Sequence, residues 1–273
     1  MSEKIVLIDG NSIANRAFYG VPDLTNAAGF HTNAIYGFLN IMFKILDEEQ
    51  AEYLIVAFDV KAPTFRHKIF EDYKGTRKPM PDELREQIPV LKELLQAMDI
   101  MILEQAGYEA DDILGTLAKR AEKEQMEVSL VSGDRDLLQV STDHIKVRIP
   151  KTKGGKTETE DYYTKDVIEK YGIEPLQIIE LKALMGDSSD NIPGVPKIGQ
   201  KTATSLLIQY HDIENLKKHI PDITKKSIKE TLENHFDLAD LSRTLATIDT
   251  HMKIDCDLKP ARIDDLYTKA VCF

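Results

Sequence analysis

Residues Lys4–Ser12 read KIVLIDGNS, and this stretch decides the fold because an uninterrupted apolar run ends directly at Asp9 and Gly10. Continuous rather than alternating apolarity is typical of a strand that is buried on both faces of a parallel sheet. The first half of the chain contains three more such runs, Tyr53–Phe58, Ile100–Leu103 and Glu127–Val131. We therefore predict four strands of a mostly parallel sheet.

Helical periodicity separates these runs. One apolar face is formed by Ile35, Phe38, Leu39, Met42 and Leu46, and a second by Leu91, Leu94, Leu95 and Met98. Alternating strands and amphipathic helices predict an α/β domain with a central sheet flanked by helices. Residues Asp59–Pro81 break this rhythm because they are polar, basic and rich in turn formers. We interpret the region near residues 61–85 as an excursion from the sheet.

The second half of the chain reads as a series of short helices. The helical patterns are Asp166–Tyr171, Leu176–Met185, Thr202–Tyr210, Ile213–His219, Lys225–Asn234 and Leu238–Ile248. We predict an α/β domain over residues 1–160 and an all-helical subdomain over residues 161–273. The segment Lys151–Lys156 (KTKGGK) is expected to be a loop near the join.

The bulk composition excludes several classes of protein. Of the 273 residues, 42% are hydrophobic and 30% are charged, which is typical of a globular protein with an ordinary core. No stretch approaches the ~20 apolar residues of a membrane span, and the N-terminal apolar run is too short for a secretory signal. Cys256 and Cys272 suggest neither a disulfide scaffold nor a zinc site. We expect a soluble, cytoplasmic protein without a membrane partner.

The formal net charge of −11 argues against a nucleic-acid partner, because proteins that bind nucleic acid are usually basic. Two basic runs weaken this objection: Lys61, Arg66, Lys68, Lys74, Arg77 and Lys78, then Lys146, Arg148, Lys151, Lys153 and Lys156. Acidic residues that hold metal ions also cease to repel phosphate once the ions are bound. Since a basic run is equally compatible with a solvated face, charge alone does not decide the partner.

Carboxylates follow three of the four predicted strands. Asp9 follows the first strand, Asp59 the second, and Asp134 with Asp136 the fourth. The carboxyl ends of parallel strands line the ligand crevice of an open sheet, so we expect these side chains to converge. Two further acidic motifs supply Glu109, Asp111 and Asp112 (GYEADDILG) and Asp187 and Asp190 (GDSSDN).

So many carboxylates in one crevice cannot all ionise without counter-charge. Hard divalent cations such as Mg²⁺ or Mn²⁺ prefer oxygen ligands and leave positions for water and phosphate. Two such ions about 4 Å apart are suited to phosphoryl displacement, because one activates a water and the other stabilises the leaving oxygen. A single Asp after a strand often only caps the next helix. Three strand ends and two acidic motifs together predict a two-metal site.

The sequence NIPGVPKIGQKTATSLL follows Asp190 directly and is typical of a helix–hairpin–helix near residues 186–210. Backbone N–H groups at such a turn and at a helix N-terminus bind phosphate without reading a base. The expected DNA contacts are Gly194, Lys197, Gly199, Lys201 and Thr202. An ordinary pair of antiparallel helices is the alternative.

The excursion carries Lys74 and Arg77, which share a face if this segment is helical. Cationic side chains in that position are suited to a scissile phosphate and its developing charge. Phe70 or Tyr73 could stack on an unpaired base, although local packing explains either aromatic side chain equally well.

These motifs resemble the 5′ nuclease domain of bacterial DNA polymerase I, within the flap endonuclease family. The matching segments, in the family's order, are IDGNS, AFD, FRHKIFEDYKGTR, GYEADDILGTLA, SGDRDLLQ and LMGDSSDNIPGV with IGQKTA. The resemblance implies a PIN-like nuclease core, a helical arch over the site, a helix–hairpin–helix subdomain, two divalent metal ions and a potassium ion at the hairpin.

The resemblance also implies roles for individual residues. The first metal cluster would comprise Asp9, Asp59, Glu109 and Asp111 with Asp112 beside them, and the second Asp134, Asp136, Asp187 and Asp190. Lys74 and Arg77 match the catalytic basic pair of the arch, and Arg66 a neighbouring phosphate contact. Lys197 departs from the pattern, since hairpins of the family usually carry Gly there, and Gly adopts positive φ freely whereas Lys does not. The family's polymerase members also continue well beyond this length.

We therefore expect a structure-selective 5′ nuclease that cuts branched, nicked or 5′-flap DNA. It is expected to act as a monomer in the nucleoid, with or without a polymerase domain in the native chain. Two rivals stay open at this point. One is a junction-binding module without catalysis, and the other is a metal-dependent phosphohydrolase of small phosphate esters.

Overall fold

The computed structural model of the protein describes residues 2–153 and 156–263. Its sheet has six strands in the order β3-β2-β1-β4-β5-β6. The strands are β1 Lys4–Asp9, β2 Tyr53–Ala57, β3 Met101–Leu103, β4 Glu127–Val131, β5 Ile145–Lys153 and β6 Lys156–Tyr162. Neighbouring strands from β3 to β5 pair in parallel, and β6 pairs with β5 antiparallel. The mostly parallel sheet and its four predicted strands are confirmed.

The expected loop at residues 151–156 is wrong for the part of it that the structure describes. Residues 151–153 end β5 and Lys156 begins β6, while Gly154 and Gly155 lie outside the described residues. The sequence analysis did not predict β5 and β6, because their charged residues resemble those of a solvent-exposed segment. Lys146 and Arg148 in fact lie against Glu49 of the second helix, with nitrogen–oxygen distances of 2.7 and 2.5 Å. Arg148 is buried, so this part of the second basic run is not a solvated face.

Helices cover both faces of the sheet. The ten helices of the described residues are α1 Gly10–Gly20, α2 Asn33–Glu49, α3 Phe65–Ile69, α4 Asp82–Ala97, α5 Ala110–Lys123, α6 Thr164–Tyr171, α7 Gln177–Met185, α8 Gln200–Tyr210, α9 Ile213–His219 and α10 Lys226–Ala246. Val6 and Ile8 of β1 point to the side of α1, α2 and α4. Ile5 and Leu7 point to the opposite side, where α5 packs and the core continues into the C-terminal helices. This alternation explains the unbroken apolar runs.

The C-terminal region is helical as predicted. The two helices expected at Lys225–Asn234 and Leu238–Ile248 are joined end to end in α10 and are separated by a kink at His235, whose φ of −137° is not helical. No Pro or Gly marks this kink in the sequence. No helix in residues 2–153 or 156–263 is long and apolar enough to cross a membrane.

Only Phe65–Ile69 of the predicted arch is helical before α4 begins. Residues 71–76 form turns, and Lys74 has a left-handed φ of 57°. The N–H of Lys74 donates to the carbonyl of Asp190 over 2.8 Å, which fastens the segment to the loop after α7. Lys74 and Arg77 therefore lie in turns, and the helical face proposed for them does not form in this structure.

Candidate metal centre

Asp9 is both the last residue of β1 and the N-cap of α1. One carboxylate oxygen accepts from the N–H of Ser12 over 2.9 Å, which satisfies a donor that the helix leaves free. The other accepts from the hydroxyl of Ser132, directly after β4, over 2.7 Å. The side chain is thus held by two neighbouring strand ends, and its position follows from the parallel pairing of β1 with β4.

A cavity of about 470 Å³ opens at this edge of the sheet. Its acidic lining comprises Asp9, Asp59, Glu109, Asp111 and Asp134, and its basic lining comprises Lys74, Arg77 and Lys78. Asp59 is oriented by two backbone contacts, because its carboxylate accepts from the N–H of Ala110 and its own N–H donates to Asn11. The structure therefore brings together the four carboxylates of the predicted first cluster and one member of the second.

Two buried carboxylates of this cavity have raised pKa values. Burial and the charge of Asp59 raise the pKa of Asp9 to about 7, against hydrogen bonds from Ser12 and Ser132. Burial and the charges of Asp9 and Asp134 also raise the pKa of Asp111 well above its usual range. One carboxylate oxygen of Asp111 is buried and accepts no hydrogen bond within the described part of the chain. A divalent cation with oxygen ligands would compensate all three features, so the residues fit such an ion.

We expect Mg²⁺ to raise the melting temperature of the protein, and the increase to be larger at pH 8 than at pH 5. Because the fold raises the pKa of Asp9 from 3.8 to about 7, its stabilising contribution is present at acid pH and lost as pH rises through that interval. Bound Mg²⁺ offsets this loss, by about 2.7 kcal/mol at 100 times its dissociation constant. Thermal melts with Mg²⁺ or EDTA at both pH values test this, and an increase that is larger at pH 5 would contradict it.

The remaining carboxylates of the predicted second cluster lie beside basic side chains. Lys182 of α7 donates to Asp136 and, over 2.5 Å, to Asp187. Burial raises the pKa of Asp136 to about 7, and Asp134 adds to this. Burial alone would raise the pKa of Asp187. The hydrogen bonds from Lys182 and Ser189 outweigh this effect and lower the pKa of Asp187 to about 2.

The fourth carboxylate of the second cluster, Asp190, is buried beneath the arch segment. Arg77 donates to one of its oxygens, and Tyr73 donates to the other over 3.3 Å. Lys74 contacts Glu109 over 2.5 Å and lies 3.8 Å from Asp190. Tyr73 is only 3% exposed, so in this conformation it is packed against carboxylates and offers no face to a base.

Asp112 and Arg66 lie outside the cavity that the carboxylates of the predicted first cluster and Asp134 line. Asp112 is fully buried, and its two oxygens accept from both terminal nitrogens of Arg66 over 2.8 Å. Asp112 also accepts from the N–H groups of Glu109 and Asp249. Arg66 is 2% exposed and donates to the carbonyls of Leu245 and Thr247. The structure therefore gives this pair a role in joining the α/β domain to α10, and it presents neither residue to an ion or a phosphate.

Within residues 2–153 and 156–263, no three acidic, His or Cys side chains converge closely enough to hold a metal ion as they stand. Three basic side chains pair with four of the predicted ligands instead: Lys74 with Glu109, Arg77 with Asp190, and Lys182 with Asp136 and Asp187. Two of these cations, Lys74 and Arg77, belong to the arch segment. Ion binding at the second cluster consequently requires these pairs to rearrange.

The predicted hairpin is a compact loop between α7 and α8. It is closed by a bridge in which the N–H of Asp187 and the carbonyl of Ile192 are 2.9 Å apart. Gly194 is buried and its N–H donates to the hydroxyl of Ser242 over 2.9 Å, so this N–H points away from any phosphate. Gly199 is the N-cap of α8 and is exposed, as are Lys197 and Lys201. The exposed end of the hairpin is thus the N-terminus of α8, where Thr202 is half-buried in the first turn.

We expect Gly194→Ala to destabilise the protein by roughly 2–4 kcal/mol, whereas Gly199→Ala serves as a matched control with little effect. Gly194 has a φ of 60°, and a β-carbon there would lie 2.2 Å from the backbone nitrogen of Gly186. Left-handed backbone and overpacking both carry a cost of this order. A β-carbon at Gly199 meets no atom within 4 Å. Urea unfolding measures both variants, and equal stabilities would contradict the close packing of the hairpin.

Lys197 adopts the backbone conformation that favours glycine, with a φ of 65°. We therefore expect Lys197→Gly to stabilise the protein by about 0.5–1 kcal/mol, because the relief of left-handed strain exceeds the greater freedom of Gly in the unfolded chain. The same change removes a charge from the exposed end of the hairpin and is expected to weaken duplex binding. Chemical unfolding and a DNA-binding titration separate the two effects, and a loss of stability would contradict the first.

Sequence reasoning missed two basic residues near the site. Lys182 pairs with two predicted ligands, as described above. Arg16 lines a second cavity of about 570 Å³, which shares Ser12 and Asp134 with the first. The buried Nε of Arg16 has no hydrogen-bond partner among the described residues. Of these two residues, only Arg16 could have been found from the sequence. It stands four residues after Ser12 and therefore shares a face of α1 with it, next to the predicted site.

The fold and the carboxylate cavity define the class of the protein, an α/β domain of the 5′ nuclease type joined to a helical domain. Residues 4–172 match the family described as "5′-3′ exonuclease, N-terminal resolvase-like domain", and residues 173–269 match "5′-3′ exonuclease, C-terminal SAM fold". The chain therefore belongs to the 5′–3′ exonuclease family. These matches meet between residues 172 and 173, whereas the division after residue 160 stays a prediction.

Two curated relatives are DNA polymerases I. That of Bacillus caldotenax is 51% identical over 258 residues, which cover 94% of this chain and 29% of the relative. That of Bacillus subtilis (strain 168) is 51% identical over 253 residues, which cover 93% and 28%. The chain thus spans less than a third of the length of these relatives. The resemblance inferred from the motifs is confirmed.

Two solved structures share the fold. A T5 5′-exonuclease with bound zinc superposes with a TM-score of 0.73 at 22% identity and covers 91% of this chain and 90% of that one. The bacteriophage T5 D15 flap endonuclease, in a complex with DNA and metal ions, gives a TM-score of 0.75 at 21% identity and covers 91% and 89%. At this level of identity the likeness concerns the fold.

Proposed function

We propose that the protein is a structure-selective 5′ nuclease that hydrolyses phosphodiester bonds in branched, nicked or 5′-flap DNA. The observation that carries this proposal is the cavity in which five carboxylates face Lys74 and Arg77. Carboxylates that fit divalent ions and basic side chains in the same cavity together form a site suited to a phosphodiester. Membership of the 5′–3′ exonuclease family supports the same substrate class.

Asp9, Asp59, Glu109 and Asp111 would hold one divalent ion, and Asp134 with Asp136, Asp187 and Asp190 the other. Mg²⁺ or Mn²⁺ bound there would supply a nucleophile at neutral pH and charge for the leaving oxygen. The two ions need carboxylates that are now paired with Lys74 and Arg77. Once released from these carboxylates, Lys74 and Arg77 would face the scissile phosphate, where cations stabilise the charge that develops in the transition state.

The exposed end of the hairpin would bind the duplex next to the scissile bond. Gly199, Lys201 and Thr202 lie at the N-terminus of α8, where the helix dipole favours phosphate. Such contacts read no base, so the enzyme would select the shape of its substrate rather than its sequence.

Further parts of the proposal rest on the family alone. A potassium ion at the hairpin, and a polymerase domain in the native chain, follow the family and the greater length of the DNA polymerase I relatives. A monomer that acts on DNA in the cytoplasm, within the nucleoid, is the simplest arrangement compatible with this substrate.

The test is cleavage of a 5′-labelled flap duplex with Mg²⁺ or with EDTA. We expect Mg²⁺-dependent cutting near the junction that leaves a 5′-phosphate and a 3′-hydroxyl, and little cutting of the unbranched duplex. A generic phosphate ester is the comparison substrate. Tight flap binding without cutting at any Mg²⁺ or Mn²⁺ concentration would identify a binding module instead, and hydrolysis of the ester alone would identify a small-molecule phosphohydrolase.

A further inference from the structure

Lys182 lies between two carboxylates of the predicted second metal cluster. Its ammonium group donates to Asp136 and, over 2.5 Å, to Asp187. The side chain is 14% exposed, and those of its two partners are 13% and 17% exposed. Three charged groups at this depth form a specific arrangement rather than a surface ion pair, since lysine is almost never buried unless it is paired.

Lys182 differs from the other two cations near the site in how firmly its backbone is held. It belongs to α7, whose neighbouring residues Leu181, Ala183 and Leu184 are buried in the core. Lys74 and Arg77 instead lie in the turns of the arch segment. The backbone of Lys182 is thus held by a packed helix, whereas those of Lys74 and Arg77 belong to an irregular segment.

The partners of Lys182 come from two separate elements. Asp136 opens a short 3₁₀ turn after β4, and Asp187 follows α7 directly. The other charges that act on Asp136 are those of Asp134 and Asp190. Lys182 therefore neutralises two of the four carboxylates that are predicted to hold the second divalent ion.

We propose that Lys182 is a positioning residue of this cluster, a built-in counter-cation that holds Asp136 and Asp187 together and competes with the second metal ion for them. This inference rests on the proposed two-metal site. An ion that approaches the cluster meets a cation within contact distance of two of its ligands, and like charges at such separation interact strongly even at a high effective dielectric constant. Lys182 thus keeps the second site weaker than the first until substrate phosphate adds negative charge.

The experiment is a calorimetric titration of the DNA-free protein with Mn²⁺, for the wild type, Lys182→Met and Lys182→Arg. We expect the wild type to bind one ion tightly and a second weakly. Lys182→Met should tighten the second site by at least about tenfold, because the competing charge is gone. Lys182→Arg keeps the charge and should bind like the wild type. A purely steric role would instead leave the second site unchanged in Lys182→Met, because Met has a side chain of similar length without the charge. Lys170→Met, which removes a lysine paired with Glu160, is the control.

An unchanged or weaker second site in Lys182→Met would overturn the proposal, as would equal tightening in Lys182→Arg. Thermal melts in EDTA report whether each variant folds. If Lys182→Met does not fold, Lys182→Gln removes the charge, retains a donor for the carboxylates, and is expected to tighten the second site likewise. Flap cleavage by the wild type is measured separately, so a failure of the proposed nuclease activity is distinguishable from a failure of the role of Lys182.

Discussion

Asp134→Asn is expected to lower cleavage of a 5′-flap duplex by at least about 10²–10³-fold, which is the cost of removing one electrostatic stabiliser of a transition state. Asp134 is half-buried and lines both cavities at the edge of the sheet. One of its oxygens accepts from the N–H of Asp136 over 2.9 Å. Asn retains an oxygen for this bond, so the turn should keep its shape while the site loses a negative charge.

The measurement is the single-turnover rate at saturating enzyme and Mg²⁺, together with flap binding in the absence of metal. Binding should be equal to or tighter than that of the wild type, because a charge that repels phosphate is removed. Asp222→Asn is the matched control, since Asp222 is exposed in a 3₁₀ turn of the helical domain. A rate for Asp134→Asn within threefold of the wild type would remove Asp134 from the proposed mechanism.

Arg66→Ala is expected to destabilise the protein by about 3–5 kcal/mol, because breaking a buried ion pair on one side leaves the other charge without compensation. Arg66 is 2% exposed and makes five hydrogen bonds, to Asp112, Glu109 and the carbonyls of Leu245 and Thr247. The change would leave Asp112 fully buried without its cation. Denaturant unfolding measures the loss of free energy.

Arg85→Ala is the control for this variant, because Arg85 pairs with Asp82 on the surface, where the two side chains are 60% and 76% exposed. Such pairs contribute about 0–1 kcal/mol. A loss below 1 kcal/mol for Arg66→Ala would contradict the structural role. A loss of DNA binding without a loss of stability would instead favour the phosphate contact expected from the family resemblance.

Residues that follow strands were the most predictable part of the site. Asp9, Asp59 and Asp134 each follow an apolar run, and parallel pairing alone brings such positions to one edge. The roles of Arg66 and Lys182 could not be read in this way. The partners of Arg66 lie up to 181 residues away, and Asp136 lies 46 residues before Lys182. A pattern within a short window carries no information about such pairings.

The two missed strands illustrate the same limit. Charged residues in β5 suggested solvent, yet Arg148 is buried against Glu49, which lies 99 residues earlier. Only the tertiary structure reveals that the opposite charge is present. The departure at the hairpin was visible in the sequence, because it concerns a single residue. Lys197 stands where glycine is usual in the family, and its φ of 65° shows that the turn keeps the backbone conformation that favours glycine.

The loop after α7 carries Asp187 and Asp190 as well as Lys197 at the exposed end of the hairpin. Six residues lie between Asp190 and Lys197, so their Cα atoms can be at most about 25 Å apart. Under the proposed function, a short stretch of one loop joins the duplex contact at Lys197 to the metal centre, which limits the distance between the bound duplex and the scissile bond. We expect the incision to fall at one fixed register from the junction, independent of the nucleotides and of the length of the displaced strand.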